Sequence, residues 1–268
     1  MAYPFLGVEA TDRPDAFRLP ITPEICVGPP GNVFMFGGVG LAAGIAAAEQ
    51  ATGRETIWAN AQFLSYARRG DMLDLRVKTL TAGRNVTQLR VVASDAGVPV
   101  VTINAALGRR EGQPGDQWAE APAMPPPEEC VERAMWPRQD AALMSRLDVR
   151  VAPGSLGDRP RDGTRSVDGR MQMWMRPRDG SPIDAALLAI FADFVPSTVA
   201  AAFGRPGGGN SLDNNIRFME IVPTDWALCD VRITGAARGF GHGAIHMYAT
   251  DGRLLATGSQ SAILRFMD

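Results

Sequence analysis

The chain has 268 residues, 46% apolar and 21% charged, a composition that suits a packed globular protein and argues against wholesale disorder. Twenty-seven basic side chains against 29 acidic ones leave a net charge of −2 and a pI near 5.8, so no positive field exists to hold nucleic acid or an anionic membrane. At about 150 residues per domain, the length corresponds to roughly two units.

In chain order, the N-terminal run MAYPFLGVEATDRPDAF lacks a basic stretch leading into an apolar core, so no secretory signal is expected. The next feature is a Gly-rich helical segment, FGGVGLAAGIAAAEQATG, whose small-apolar stretch Val39 to Ala48 is about half of what spans a bilayer. Four strand-like runs follow: TIWANAQFLSYARRGD, MLDLRVKTLTA, NVTQLRVVASD and VPVVTINAALGRR. The turns between them (RRGD, AGRN, DAGVP) carry the Gly, Asn, Asp and Pro that tight reversals use. Residues 111–145 are rich in Pro, Glu and Gln and lack strand alternation, which predicts a linker with a short helix around Cys130–Met135. A polar loop, GDRPRDGTRSVDGR, precedes the strand-like RMQMWMRP. The second half then repeats the first: a helical segment, IDAALLAIFADFVPSTVAAAFG, and the strand-like runs NSLDNNIRFMEIVP, DWALCDVRITGAA, GHGAIHMYAT and RLLATGSQSAILRF.

The register of the repeat follows by subtraction. Phe63 and Phe218 lie 155 residues apart, as do Gly97 and Gly252, and the same offset lays Asn60 over Asn215. In both copies the helix carries small residues on nearly every face (Gly37, Gly38, Gly40, Ala42, Ala43 and Gly44 in the first), which fits a helix wrapped by a sheet. That is the hotdog arrangement, and two copies make an α+β double hotdog: residues 1–110, a connection over 111–167, and a second module over 168–268.

Three scattered cysteines (Cys26, Cys130, Cys229) are too few for a disulfide framework or a zinc cluster, and a reducing, cytoplasmic setting is expected. His242 and His246 share a strand face but lack a third ligand nearby, so surface or core histidines fit better than a metal site. FGGVG follows no strand-to-helix phosphate motif, which argues against a dinucleotide. No metal or redox cofactor is implied. The arginines of 158–170 could meet phosphates or form a solvated face with Asp158, Asp162 and Asp168.

The run FGG before a helix, then QFLxxxxxGD, resembles the first half of the type II acyl-CoA thioesterases (the TesB-like family). SLDNNIRF…DW…G…DGRLLATGSQSAILR resembles their second half. The resemblance covers roughly residues 30–110 and 168–266. It implies hydrolysis of acyl-CoA thioesters in fatty acid metabolism without a covalent intermediate, and it places the catalytic set on Asp193, Ser211 and Gln260. Ser211 stands where Thr is commoner, and Val39 stands after FGG where a polar residue is frequent.

Taken without the resemblance, each residue has two readings. Asp193 in AIFADFVPS is either a carboxylate kept among apolar neighbours for chemistry or a solvent-facing helix-end Asp. Gln260, flanked by small residues, either serves a site or is an ordinary strand Gln; Ser211 either serves a site or caps a turn. The offset of 155 lays Asp193 over Gly38, Gln260 over Ala105 and Ser211 over Thr56, so a need common to both copies explains neither Asp193 nor Gln260. Asp193 is the one plausible base; Ser211 and Gln260 can orient a water. Backbone N–H groups of FGGVG, at Gly37 and Gly38, either receive the oxyanion or exist for close helix–sheet packing. The expected function is an acyl-CoA thioesterase, with a catalytically silent acyl-thioester binder as the alternative. An edge left by the sheet suggests a homodimer or higher homo-oligomer.

Overall fold

The computed structural model describes residues 3–29, 31–133 and 143–266. The first half comprises β1 (Glu9–Ala10), β2 (Ala16–Pro20), β3 (Cys26–Val27), β4 (Phe34–Met35), α1 (Gly37–Thr52), β5 (Thr56–Phe63), β6 (Met72–Ala82), β7 (Val86–Asp95) and β8 (Val98–Gly108). The remainder comprises β9 (Val131–Glu132), β10 (Leu147–Val151), β11 (Arg170–Pro177), α2 (Ala185–Ala192), α3 (Val195–Ala202), β12 (Gly207–Phe218), β13 (Ala227–Ala237), β14 (Phe240–Ala249) and β15 (Leu254–Phe266). Among the described residues, thirteen strands form one antiparallel sheet in the order β1-β2-β6-β7-β8-β5-β12-β15-β14-β13-β11-β10-β9, and its concave face wraps three helices.

The two halves meet at β5 and β12, which pair antiparallel with Asn60 opposite Asn215. Those residues are 155 apart, so the approximate twofold axis relating the copies passes through this pair. The equivalence extends further than the sequence indicated: β2 pairs Ala16 with Arg76, and β11 pairs Met171 with Val231, each residue again displaced by 155. The double hotdog expected from the repeat is the architecture observed.

Packing explains the composition of the helices. A Cβ on Gly38 would lie 2.9 Å from Ile190 Cα, and one on Gly44 would lie 2.8 Å from Ile103 Cδ1. Glycine therefore lets α1 press against α2 on one side and the sheet on the other. The second-half helical segment is broken at Asp193–Phe194, where Asp193 ends α2 with φ −86° and ψ 21°. Pro196, in the first turn of α3, is tolerated there because the N–H it lacks would have no intrahelical partner. The window Ala185–Ala202 is apolar enough by length and composition to cross a membrane (mean hydropathy 1.8), but 89% of it is buried within the sheet's wrap.

Two expectations for the connecting stretch need correction. The helix expected around Cys130–Met135 does not form over its described part: a 3-10 turn at Pro127–Glu129 gives way to extended backbone at Cys130 and to β9, while residues 134 and 135 lie outside the described residues. Residues 111–167 also contain β10, in which Leu147, Val149 and Val151 alternate inward and pair the strand with β11. Upstream, 117–125 straps the outer face of the second half. Gln117 Oε1 accepts from Leu254 N–H at 2.6 Å, and Trp174 Nε1 donates to Pro125 O at 2.8 Å.

The sheet ends in β1 and β9, each only two residues long. Edges this short are blunted against pairing.

Candidate active site

The interruption between α2 and α3 places Asp193 where it faces the N-terminus of α1. Phe36 precedes that helix and supplies no side-chain cap, which leaves the first N–H groups of α1 to other partners. Gly38 N–H donates to Asp193 Oδ2 at 2.6 Å. The two bonded residues are the equivalent positions of the two copies, so the approximate axis runs beside the carboxylate.

Oδ1 of the same carboxylate accepts from Ser211 Oγ at 2.8 Å and from Gln260 Nε2. Gln260 Nε2 also donates to Ser211 Oγ at 2.8 Å, closing a triangle of side chains from α2, β12 and β15. The structure thus brings together all three residues singled out from the sequence, along with Gly37 and Gly38. The readings of Asp193 as a solvent-facing helix end and of Gln260 as an ordinary strand residue do not hold, for they are only 4% and 3% exposed.

A β-bulge aims Ser211. In the β12–β15 ladder Ser211 faces Ala262 and Asp213 faces Ser261, with Leu212 extruded between them. Asp213 Oδ1 accepts from Ser261 N–H at 2.8 Å and pins the bulge. Sequence reasoning did not single out Asp213, because an Asp in a polar strand carries no signal of a bulge.

Electrostatics at Asp193 are a balance. Burial raises its pKa; the hydrogen bonds from Gln260, Ser211 and Gly38 lower it, leaving it at about 6, up from 3.8. The positive end of the α1 dipole favours the ionised form in the same direction as these bonds. A carboxylate held here is ionised at neutral pH yet far more basic than an exposed aspartate.

The carboxylate opens onto a cavity of about 550 Å³ walled by both halves, with Phe36, Phe63 and Phe194 beside it and Leu64, Tyr66 and Leu212 exposed among the lining residues. Gly37 lies in the wall: a Cβ there would sit 2.7 Å from Asp193 Oδ2. A second, polar depression (Trp58, Asn60, Asn104, Asn215, Arg217) lies on the opposite face of the central strands, away from the carboxylate.

The other sequence candidates fall outside this site. His242 is exposed and bonds Ser261 Oγ at 3.1 Å, while His246 bonds Tyr248 OH at 3.3 Å. Among the described residues, no group of three or more His, Cys, Asp and Glu is placed to hold a metal ion. The three cysteines are buried and unpaired, and burial pushes the Cys26 thiol up to about 11. Asp158, Asp162 and Asp168 accept from backbone N–H groups of their own loop, and Arg170 forms a two-pronged pair with buried Asp230. Asp158, Arg159, Asp162, Arg165 and Asp168 are all exposed, so this loop presents the solvated face expected of it, with its acidic side chains bonded to backbone N–H groups.

The first half matches the acyl-CoA thioesterase N-terminal domain over residues 28–108, and the second matches the acyl-CoA thioesterase C-terminal domain over 127–264. No curated protein matches the chain. Among solved structures, a protein of Novosphingobium aromaticivorans, provisionally assigned as a thioesterase, is 36% identical with a TM-score of 0.89, over 98% of this chain and 100% of that one. A hot dog protein of unknown function from Alicyclobacillus acidocaldarius is 21% identical with a TM-score of 0.83, over 97% and 96%. The acyl-CoA thioesterase II of Mycobacterium marinum is 21% identical with a TM-score of 0.76, over 98% of each chain. With both halves matched in order, the chain belongs to the acyl-CoA thioesterase family and is a thioester hydrolase.

Proposed function

We propose that the protein hydrolyses an acyl-CoA thioester to the free acid and coenzyme A by direct attack of water, with Asp193 as the base. The observation that carries this reading is the convergence of Ser211, Gln260 and the α1 N-terminus on one buried carboxylate in the wall of an apolar cavity.

The roles follow from what each atom can still do. Asp193 Oδ1 already accepts two hydrogen bonds, whereas Oδ2 accepts one, from Gly38, and lies beside Gly37 at the cavity wall. Oδ2 is therefore the oxygen that takes the proton as water adds to the thioester carbonyl carbon. Ser211 and Gln260 hold the carboxylate in place and orient the water. The tetrahedral oxyanion is met by the N–H of Gly37, which has no intrahelical acceptor in the first turn of α1. Collapse breaks the C–S bond, and the thiolate recovers the proton from Asp193. Any residue larger than glycine at 37 would cover Oδ2, since its Cβ would lie 2.7 Å away.

The experiment is thiol release from a panel of acyl-CoA esters, short to long and aromatic, with Asp193→Asn alongside. Release that disappears in the variant supports the reading. Tight binding of an ester without release would mean a silent binder, and undiminished release in Asp193→Asn would remove Asp193 as the base.

A further inference from the structure

Asn214 lies on β12 opposite both Gln260 of β15 and Ala61 of β5, and it is 0% exposed. Residues facing one another across an antiparallel pair project from the same face with Cβ atoms about 5 Å apart. Asn214 and Gln260 are thus neighbours on the inner face of the sheet. Both polar atoms of the Asn214 amide are buried without a hydrogen bond, and so is Gln260 Oε1. The fold does not need an amide here. The repeat lays Asn214 over Ala59, which is fully buried in the first copy.

The Gln260 amide could sit in either of two orientations. In the observed one, Nε2 reaches Asp193 and Ser211, and Oε1 points away from both. Turned over, the carbonyl oxygen would face a carboxylate and both bonds would be lost. A donor presented to Oε1 selects the productive orientation. Asn214 Nδ2 is a buried donor directly across the strand with no competing partner. No direct bond joins the two amides; one water between them would take hydrogen bonds from these otherwise unsatisfied atoms, as buried waters do.

We infer that Asn214 is a positioning residue: through a bridging water it donates to Gln260 Oε1 and keeps the Gln260 nitrogen turned toward Asp193 and Ser211. This rests on the catalytic reading of those three residues.

The test is thiol release by wild type, Gln260→Ala, Asn214→Ala, Asn214→Ser and the double alanine variant, with the acyl-CoA that wild type hydrolyses fastest. Asn214→Ala should lower kcat about tenfold, the worth of one hydrogen bond expressed as rate, with KM changed less than about twofold. The acidic limb of its pH profile should move upward, because Asp193 loses a firmly held donor. Asn214→Ser, which keeps a donor, should recover part of the rate. In the Gln260→Ala background, Asn214→Ala should change kcat by less than about twofold, since its effect passes through Gln260. A purely structural amide would behave otherwise: unchanged kcat and pH limb in Asn214→Ala, or effects additive with Gln260→Ala, would overturn the proposal. Should the alanine variant melt, Asn214→Val, which fills more of the space, is read by the same criteria. Full activity in Gln260→Ala would sink the catalytic reading along with this one; an inactive Gln260→Ala beside a fully active Asn214→Ala would sink this proposal alone.

Discussion

Asp193→Asn tests the base and its surroundings together, because the same burial that raises the carboxylate's pKa sets both a rate profile and a stability profile. With a pKa of about 6, the ionised fraction falls from about ten-elevenths at pH 7 to about one-eleventh at pH 5, so wild-type kcat/KM should drop about tenfold between them. The stability effect runs the same way on the pH axis but opposite in sense. The folded pKa lies above the unfolded value of 3.8, so the native state binds this proton more tightly. Its contribution is therefore largest below pH 4, declines between about 4 and 6, and is flat above. Over the whole titration wild type should lose about 3 kcal/mol relative to a variant with no titrating group at 193, as about two pKa units at 1.4 kcal/mol each, with about 2 kcal/mol of it falling between pH 4 and 6. The asparagine cannot collect all of this as a gain at pH 7. Its NH₂ must face Gly38 N–H or the Ser211–Gln260 side, where donors already point. The assay is a pair of measurements on wild type and variant: kcat/KM from about pH 3.5 to 8, and denaturant unfolding over about the same range, read as a difference so that other carboxylates cancel. An acidic limb near 4, or a wild-type minus variant stability difference that does not change between pH 4 and 6, would refute the account of a buried base.

The remaining predictions concern backbone and bulge. Gly38→Ala places a Cβ 2.9 Å from Ile190 Cα and from Asp193 Cβ, contacts that cannot yield without parting α1 from α2; it should cost about 1–3 kcal/mol in denaturant unfolding and abolish turnover. Gly37→Ala intrudes on Asp193 Oδ2 from the cavity side and should lose most of kcat with little change in Tm, and a normal kcat would argue against Oδ2 as the proton acceptor. Asp213→Ala frees Ser261 N–H and loosens the bulge that aims Ser211; about 1 kcal/mol of stability and a larger proportional loss of kcat than of KM are expected from steady-state kinetics.

What could be read in the sequence was what repeats or alternates. An offset of 155 residues, taken from Phe63/Phe218 and Gly97/Gly252, anticipates the pairing of Asn60 with Asn215 at the junction of the halves. The catalytic candidates stood out where the copies differ, with acid and amide over Gly38 and Ala105. Less was visible where structure depends on distant partners. LDVRV is a short run amid Pro, Gly and charge, and it becomes β10 only because β11 offers an edge. AFRLP, the counterpart of RMQMWMRP, is too brief to declare itself a strand. Asn214 lay within reach of the same subtraction, over Ala59, but an amide in a polar strand draws no notice until its burial is known.

The geometry also explains why the two copies could not both keep the carboxylate. The approximate twofold axis brings position 193 against position 38, with Asp193 Oδ2 bonded to Gly38 N–H at 2.6 Å. An acid at both positions would set two buried carboxylates in contact, where only one could ionise, and a mere Cβ at 38 already collides with Asp193 Cβ at 2.9 Å. Once one copy holds the acid, the other must be glycine, both to make room and to donate its N–H. The rest of the first-half set then has nothing to hold in place. Gln260 has only Ala105 opposite it in the repeat, and Thr56, the counterpart of Ser211, is buried with its hydroxyl unpartnered. One site per chain is thus a consequence of the axis, and the first copy takes part in that site through the N-terminus of its helix.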